Sequence, residues 1–366
     1  MAEPDNSGPD GEQRDGMSEC HNLWQARLRS STPGQRKKLV LHVDLNSTIL
    51  VSDAVTQDGA VATLDHYLST VTWGKADERG KWEWLSDSPS LLPPCKDAVS
   101  FYSQFGRTLG FTAGVGRRFR KFRDEHLELL RWPEGIKGDK DLSYKGEDGR
   151  LYHWIVPSFF QLLKDLVQEG REFAIVFRTF GIDLPRVLRA VNRALNEGAH
   201  PLFPDLPDLK LSVNVAPGKI HCSAKGITVK RSENRLSSQG GERSLYQFFS
   251  SMQGLGGFKD DYEWWAGNSF SLRGGKPLWV DPFDQQVQHI FIDDNIRQDD
   301  EQTVVNPKVF LDSEGSETRT ACTSELYDIA LVQNDLLQAI ADPNYFTRRV
   351  HICLENYERN LQQGTG

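Results

Sequence analysis

The chain has 366 residues, 38% hydrophobic and 26% charged, with 43 Lys and Arg against 51 Asp and Glu for a formal net charge of −8. That length accommodates one large domain or two smaller ones. The acidic balance argues against general binding to nucleic acid or to an anionic membrane, and no apolar run approaches the ~20 residues of a membrane span.

The opening stretch MAEPDNSGPDGEQRDG has no apolar core, so it predicts no signal peptide, and the cytoplasm is the default expectation. Its Gly, Pro, Asp and Ser content predicts a disordered tail over residues 1–36. Cys20, Cys95, Cys222, Cys322 and Cys353 are scattered, odd in number and free of any CxxC pair, which predicts reduced thiols and no structural zinc.

The run LVLHV is short, apolar and bounded by polar residues, the pattern of a buried strand, and it delivers Asp44 at its end. A turn-prone stretch, LNSTILVSD, follows. Residues 55–149 are irregular and rich in Trp, Gly and charge, with helical spacing in KDAVSFYSQF and RRFRKFRDEHLELLRW. The basic cluster Arg117–Arg123 reads either as a solvated helix face with Phe119 and Phe122 turned inward, or as a grip for a phosphorylated substrate or RNA.

A regular unit comes next. VPSFFQLLKDLVQEG predicts a helix ending at Gly170, EFAIVF a second buried strand leading to Thr179, and DLPRVLRAVNRAL an amphipathic helix with Asp183 as N-cap and Pro185 in its first turn. Helix, strand and helix in succession indicate an α/β fold with parallel strands. In the segment 198–275, which stands open as a second insertion, LKLSVNV and KIHCSAKGITVKR predict strands, ERSLYQFFSSM a helix, and GLGGF a flexible loop. HIFID predicts a third buried strand that delivers Asp293 and Asp294, and PKVFLD a fourth strand. SELYDIALVQNDLLQAI and PNYFTRRVHICLENYERNL predict two closing helices. His42 within the first strand and the tryptophans Trp73, Trp82, Trp84, Trp264 and Trp265 read as packing residues.

Three apolar strands thus end in polar groups, and in parallel α/β sheets ligands sit beyond the carboxyl ends of the strands. If these strands are neighbours, Asp44, Thr179, Asp293 and Asp294 converge, with Lys276 of GGKPLWVD as a fifth member. A carboxylate can attack phosphorus to give an aspartyl-phosphate. Anionic attack on an anion calls for positive charge, from Mg²⁺ shared by Asp44 and the Asp293/Asp294 pair and from Lys276. Taken singly, Asp44 also reads as a strand-end residue, Thr179 as a helix lead and Lys276 as a surface lysine.

The order and spacing resemble the haloacid dehalogenase-like superfamily of phosphohydrolases. Its D-x-D-x-T motif stands here as Asp44-Leu45-Asn46-Ser47-Thr48, its Ser/Thr motif as Thr179, its lysine as Lys276, and its acidic pair as Asp293-Asp294, with Asp299 as a further acid. The resemblance implies a doubly wound, mainly parallel, Rossmann-like core from residues 37–54 and 150–366, with 55–149 as a largely helical cap. It also implies Mg²⁺ as cofactor, held by Asp44, the backbone carbonyl of Asn46, and Asp293 or Asp294, and a phosphorylated small molecule or phosphoprotein as substrate. One position departs. The family's second aspartate carries protons to and from the reacting oxygens, and Asn46 cannot. The expectation is therefore a phosphohydrolase or phosphotransferase acting through Asp44, with a catalytically impaired binding or regulatory protein as the alternative.

Overall fold

The computed structural model describes residues 36–52, 59–298 and 303–363. In chain order its principal strands are β1 (Lys38–Val43), β2 (Phe173–Thr179), β3 (Gly218–Ser223), β4 (Gly226–Arg231), β5 (Asn234–Ser237), β6 (Gly254–Lys259), β7 (Lys276–Val280), β8 (Val287–Asp293), β9 (Val305–Phe310), β10 (Thr318–Thr320) and β11 (Leu331–Gln333). Eight of them form one sheet in the order β5-β4-β3-β6-β2-β1-β8-β11. From β3 to β11 every pairing is parallel, and the β3-β4 and β4-β5 ladders are antiparallel. The protein is therefore a mixed α/β fold with a large, mainly parallel sheet.

β1 lies at the centre because its sequence permits nothing else: Leu39 through Val43 are buried on both faces, which requires strands on both edges and a layer on each side. Period-two alternation divides its side chains. Leu39, Leu41 and Val43 face a core shared with helices α3 (Pro157–Gln168), α4 (Leu184–Glu197), α6 (Leu336–Ala341) and α7 (Tyr345–Gln363). Val40 faces the other way, with Val176, towards Phe249 of α5 (Glu242–Ser250) and Trp279 of β7. That second face is covered not by helices alone but also by a three-stranded sheet, β7-β9-β10.

Residues 59–149 are mixed rather than largely helical. Helices α1 (Ala60–Thr70), Phe101–Phe105 and α2 (Arg120–Leu129) alternate with short antiparallel ladders, one built from Trp73–Ala76, Trp82–Trp84 and Val99–Ser100, another from Ser143–Lys145 with Leu151–His153. Their buried side chains, among them Leu64, Leu68, Phe111 and Phe119, belong to the same apolar core as the helical face of the sheet. Three further expectations are corrected. GLGGF is not a loop but β6, between β3 and β2. SELYDIALVQNDLLQAI is not one helix: it is broken by β11, whose buried residues complete the sheet edge. LKLSVNV forms only an isolated bridge from Val213 to Leu255, whereas PKVFLD begins within a strand as expected, β9 of the small sheet. The tail over 1–35 and Cys20 lie outside the described residues. No disulfide joins the four described cysteines, and among the described residues no helix is long and apolar enough to cross a membrane.

Among the described residues four imidazoles are buried: His42, His153, His200 and His289. Burial pushes His153 down to about 4. His200 is held at about 3 by burial and by His153, and His289 at about 3 by burial with a contribution from Lys38. His42 lies well below the usual imidazole range through burial, Arg178 and His289. The unfolded chain takes up protons near pH 6.5, and the folded chain does so only near pH 3–4. Stability is thus full above about pH 6.5 and is lost as pH falls below it, by on the order of 1–2 kcal/mol per buried histidine between pH 7 and 5. Urea midpoints measured at the two values should show this loss, and His153→Phe should flatten the dependence; a midpoint that is flat over this range would contradict it.

Candidate active site

Chain order runs outward from β1 through β2 to β6, then returns to β1's other edge with β8 and β11. The reversal falls between β1 and β8, and the crevice beyond the carboxyl ends at such a reversal is where open parallel sheets bind ligands. Asp44 stands at the end of β1, its N–H still donating to the Ile292 carbonyl at 3.0 Å, and Asp293 ends β8 alongside it. Parity places Asp44 and Asp293 on the second face, towards β7. From there Lys276, the first residue of β7, reaches both: Nζ lies 2.6 Å from Asp44 Oδ1 and 2.8 Å from Asp293 Oδ2. The ammonium is only 2% exposed, and the ring centres of Phe180 and Phe291 lie 4.9 and 5.8 Å away.

Asp294 completes the group. One carboxylate oxygen from each of Asp44, Asp293 and Asp294 lies within 4.8 Å of the other two. Thr48 ties the cluster down: its hydroxyl donates to Asp44 Oδ2 at 3.3 Å and accepts from the Asp294 N–H at 3.2 Å. Burial raises the Asp44 carboxyl to about 7, with Asp293 adding to the rise and Lys276 opposing it. Burial, Asp293 and Asp44 likewise hold Asp294 well above the carboxylate range. For Lys276, burial pulls downward, but Asp293 and Asp44 outweigh it and the pKa rises. Three ionised acids would outnumber the one ammonium, and desolvation in the crevice together with this mutual repulsion is what holds Asp44 and Asp294 high. An all-oxygen donor set of this kind suits a hard divalent cation.

The Asn46 and Thr179 side chains form a second patch. The Asn46 amide donates to the Ser52 carbonyl at 3.2 Å and to Asp183 Oδ2 at 3.1 Å. Thr179 Oγ1 accepts from the Gly181 N–H at 2.9 Å. A side chain at position 181 would meet Asn46 Oδ1 at 3.1 Å and Thr179 Oγ1 at 3.3 Å, so glycine leaves open the space that these two oxygens line. The structure thus gathers Asp44, Lys276, Asp293 and Asp294 into one contact network and sets Thr179 beside Asn46. Asp299 lies outside the described residues.

Several residues that hold the site were not singled out in the sequence. Arg178, fully buried, forms a two-point ion pair with Asp260 at 2.8 and 2.6 Å and donates to the Pro277 carbonyl at 3.1 Å, which fixes β7 next to Lys276. It also contacts His42 Nδ1 at 3.1 Å. Arginine only donates, so His42 accepts there and carries its proton on Nε2, towards His289 Nδ1 at 3.1 Å. Asn334, just past β11, donates to the Ser47 and Thr48 carbonyls at 3.2 and 3.3 Å and pins the turn in which Ser47 adopts a left-handed φ of 58°. The one available signal for Asn334 was its place as a polar residue after an apolar run.

The basic cluster of the insertion is laced with acids: Arg118 pairs with Asp87, Arg120 with Asp124, Lys121 with Glu125, and Arg123 with Asp124 and Asp65. Phe119 is buried and Phe122 packs against the same core. No family model matches the chain, and neither a curated protein nor a solved structure matches it.

Proposed function

We propose that the chain is a Mg²⁺-dependent phosphohydrolase or phosphotransferase of the haloacid dehalogenase-like type, with Asp44 as nucleophile and residues 55–149 as its cap. The observation that carries this reading is the cluster of buried Asp44, Asp293 and Lys276 with half-buried Asp294 at the reversal of strand order. Asp44, the Asn46 carbonyl and the Asp293/Asp294 pair would hold Mg²⁺. The bound ion would supply positive charge for the transferring phosphoryl group. Lys276 neutralises the phosphate and keeps Asp44 and Asp293 apart in charge, Thr48 aims the Asp44 carboxylate, and the Thr179 hydroxyl offers a hydrogen bond to a phosphoryl oxygen. A cytoplasmic setting and a phosphorylated small molecule or phosphoprotein as substrate complete the proposal.

The Asn46 side chain favours a second reading, a protein that binds a phosphoryl group without turning it over. The two are separated by a panel of phosphate monoesters assayed with and without Mg²⁺ on wild type and Asn46→Asp. The enzyme reading expects metal-dependent turnover by wild type. Turnover that appears only in Asn46→Asp, together with Mg²⁺-dependent binding of beryllofluoride by wild type, would replace it with the second reading.

A further inference from the structure

We infer that the ester this site acts on is an acidic phosphopeptide segment, whose carboxylates lie along a row of four cations leading away from Thr179; the inference rests on the phosphohydrolase reading and deepens it. The row follows from register. Thr179 at the end of β2 pairs with Lys259 of β6, Lys259 with Lys219 of β3, Lys219 with Lys230 of β4, and Lys230 with Arg235 of β5. Residues paired in register put their side chains on the same face of a sheet. One hydroxyl and four cations therefore stand side by side across five strands. Neighbouring strands lie ~4.8 Å apart, so the cations begin one strand from Thr179 and extend to ~19 Å from it.

The row runs against local preference. Like charges directly opposite on paired strands repel and weaken the pairing, and here they meet at three successive ladders. Lys219, Lys230 and Arg235 are exposed, and Lys259 is half-buried. Among the described residues none of the four makes an ion pair or a side-chain hydrogen bond. Asp261, two positions past Lys259, is engaged by His221 and by the Cys222 N–H. From Gly218 to Ser237 the chain carries Lys219, Lys225, Lys230, Arg231 and Arg235 against one acid, Glu233, although its net charge is −8. An uncompensated line of positive charge on an acidic protein is complementary to a chain of negative charges.

The next row on the same face is His221, Thr228 and Ser237. It holds no Phe, Tyr or Trp for nucleobases to stack on, the platform that single-stranded nucleic acid uses. An extended peptide crossing the strands fits the spacing instead. At ~3.4 Å per residue, acids up to about six residues from the phosphorylated one, on one side of it, reach the row. A small phosphate ester would leave Lys219, Lys230 and Arg235 unused.

The test compares kcat/KM with Mg²⁺ on three substrates. One is 4-nitrophenyl phosphate, too small to reach past Lys259. The second is a short phosphoserine peptide with glutamates at alternate positions on both sides, and the third is the same peptide with glutamines in their place. Wild type is expected to favour the glutamate peptide over the glutamine peptide by about tenfold at low salt, the work of three exposed charge contacts. The preference should shrink as salt rises. The triple variant Lys219→Gln, Lys230→Gln, Arg235→Gln is expected to lose it through KM, with rates referred to 4-nitrophenyl phosphate as the measure of folded enzyme. Glutamate at the same three positions should turn the preference towards a lysine peptide. Equal kcat/KM on the two peptides in wild type, or a preference that survives the triple variant, would overturn the inference and leave the phosphohydrolase reading in place. So would inhibition by an oligouridylate stronger than by the unphosphorylated glutamate peptide, which would give the row to nucleic acid. Turnover of none of the three substrates would remove both.

Discussion

Asp44→Asn is expected to lower Mg²⁺-dependent phosphate-ester turnover by about 10⁴–10⁶-fold, the range seen when a member of a covalent catalytic group is removed. An amide cannot attack phosphorus, and nothing else at the end of β1 replaces it, since Thr48 points its hydroxyl at Asp44 itself. The same substitution is expected to leave the metal-free fold intact or slightly firmer. It removes one of three mutually repelling acids, while Lys276 keeps Asp293 as partner at 2.8 Å. Thermal unfolding beside the activity assay separates these effects. A variant that retains a tenth of wild-type turnover would show that Asp44 is not the nucleophile, and one that unfolds would show that the loss is not chemical.

Lys276→Met is expected to be the most destabilising change in the crevice. Methionine keeps an unbranched apolar stem beside Phe180 and Phe291 but leaves Asp44, Asp293 and Asp294 without their ammonium. Removing one partner of a buried ion pair costs about 3–5 kcal/mol, because the remaining charge stays desolvated. The urea midpoint should fall accordingly. Mg²⁺ should raise that midpoint more in the variant than in wild type, since a ligand that binds only the folded state stabilises it by mass action. An unchanged midpoint would mean that the lysine sits there without neutralising the acids, and an absent metal response would argue against a cation site.

The strands that carry the site were legible because burial on both faces leaves a clear mark: LVLHV, EFAIVF and HIFID are mostly apolar, and each leads to a polar residue at the same edge. β6 was not legible, because its glycines answer to neighbours far away in the chain. A side chain at Gly257 would meet Leu184 at 2.5 Å, one at Gly256 would lie 3.1 Å from the Arg231 guanidinium, and Gly254 adopts a φ of 63° against Ser212. Local preference reads such a run as a loop, and tertiary crowding makes it a strand. β11 was hidden for a related reason: three residues between two short helices carry no period of their own. Asp183 looked like an ordinary cap in sequence, and only the fold shows its carboxylate turned to Asn46. Arg178 stood one position before the Thr179 that drew attention, yet its work is to hold β7, which no local pattern reveals.

Lys276 comes from β7, in the small sheet, and its contact with Asp44 closes a sequence interval of 232 residues. Contacts so distant along the chain are slow to form, because loop closure precedes any gain from them. A partly folded chain with the main sheet formed but the small one undocked would hold its three acids without a counter-charge. Such an intermediate is penalised by its own electrostatics. A signal that depends on the assembled crevice, such as metal-dependent turnover, should therefore appear after the bulk of secondary structure during refolding, reporting the last long-range closure rather than the first collapse.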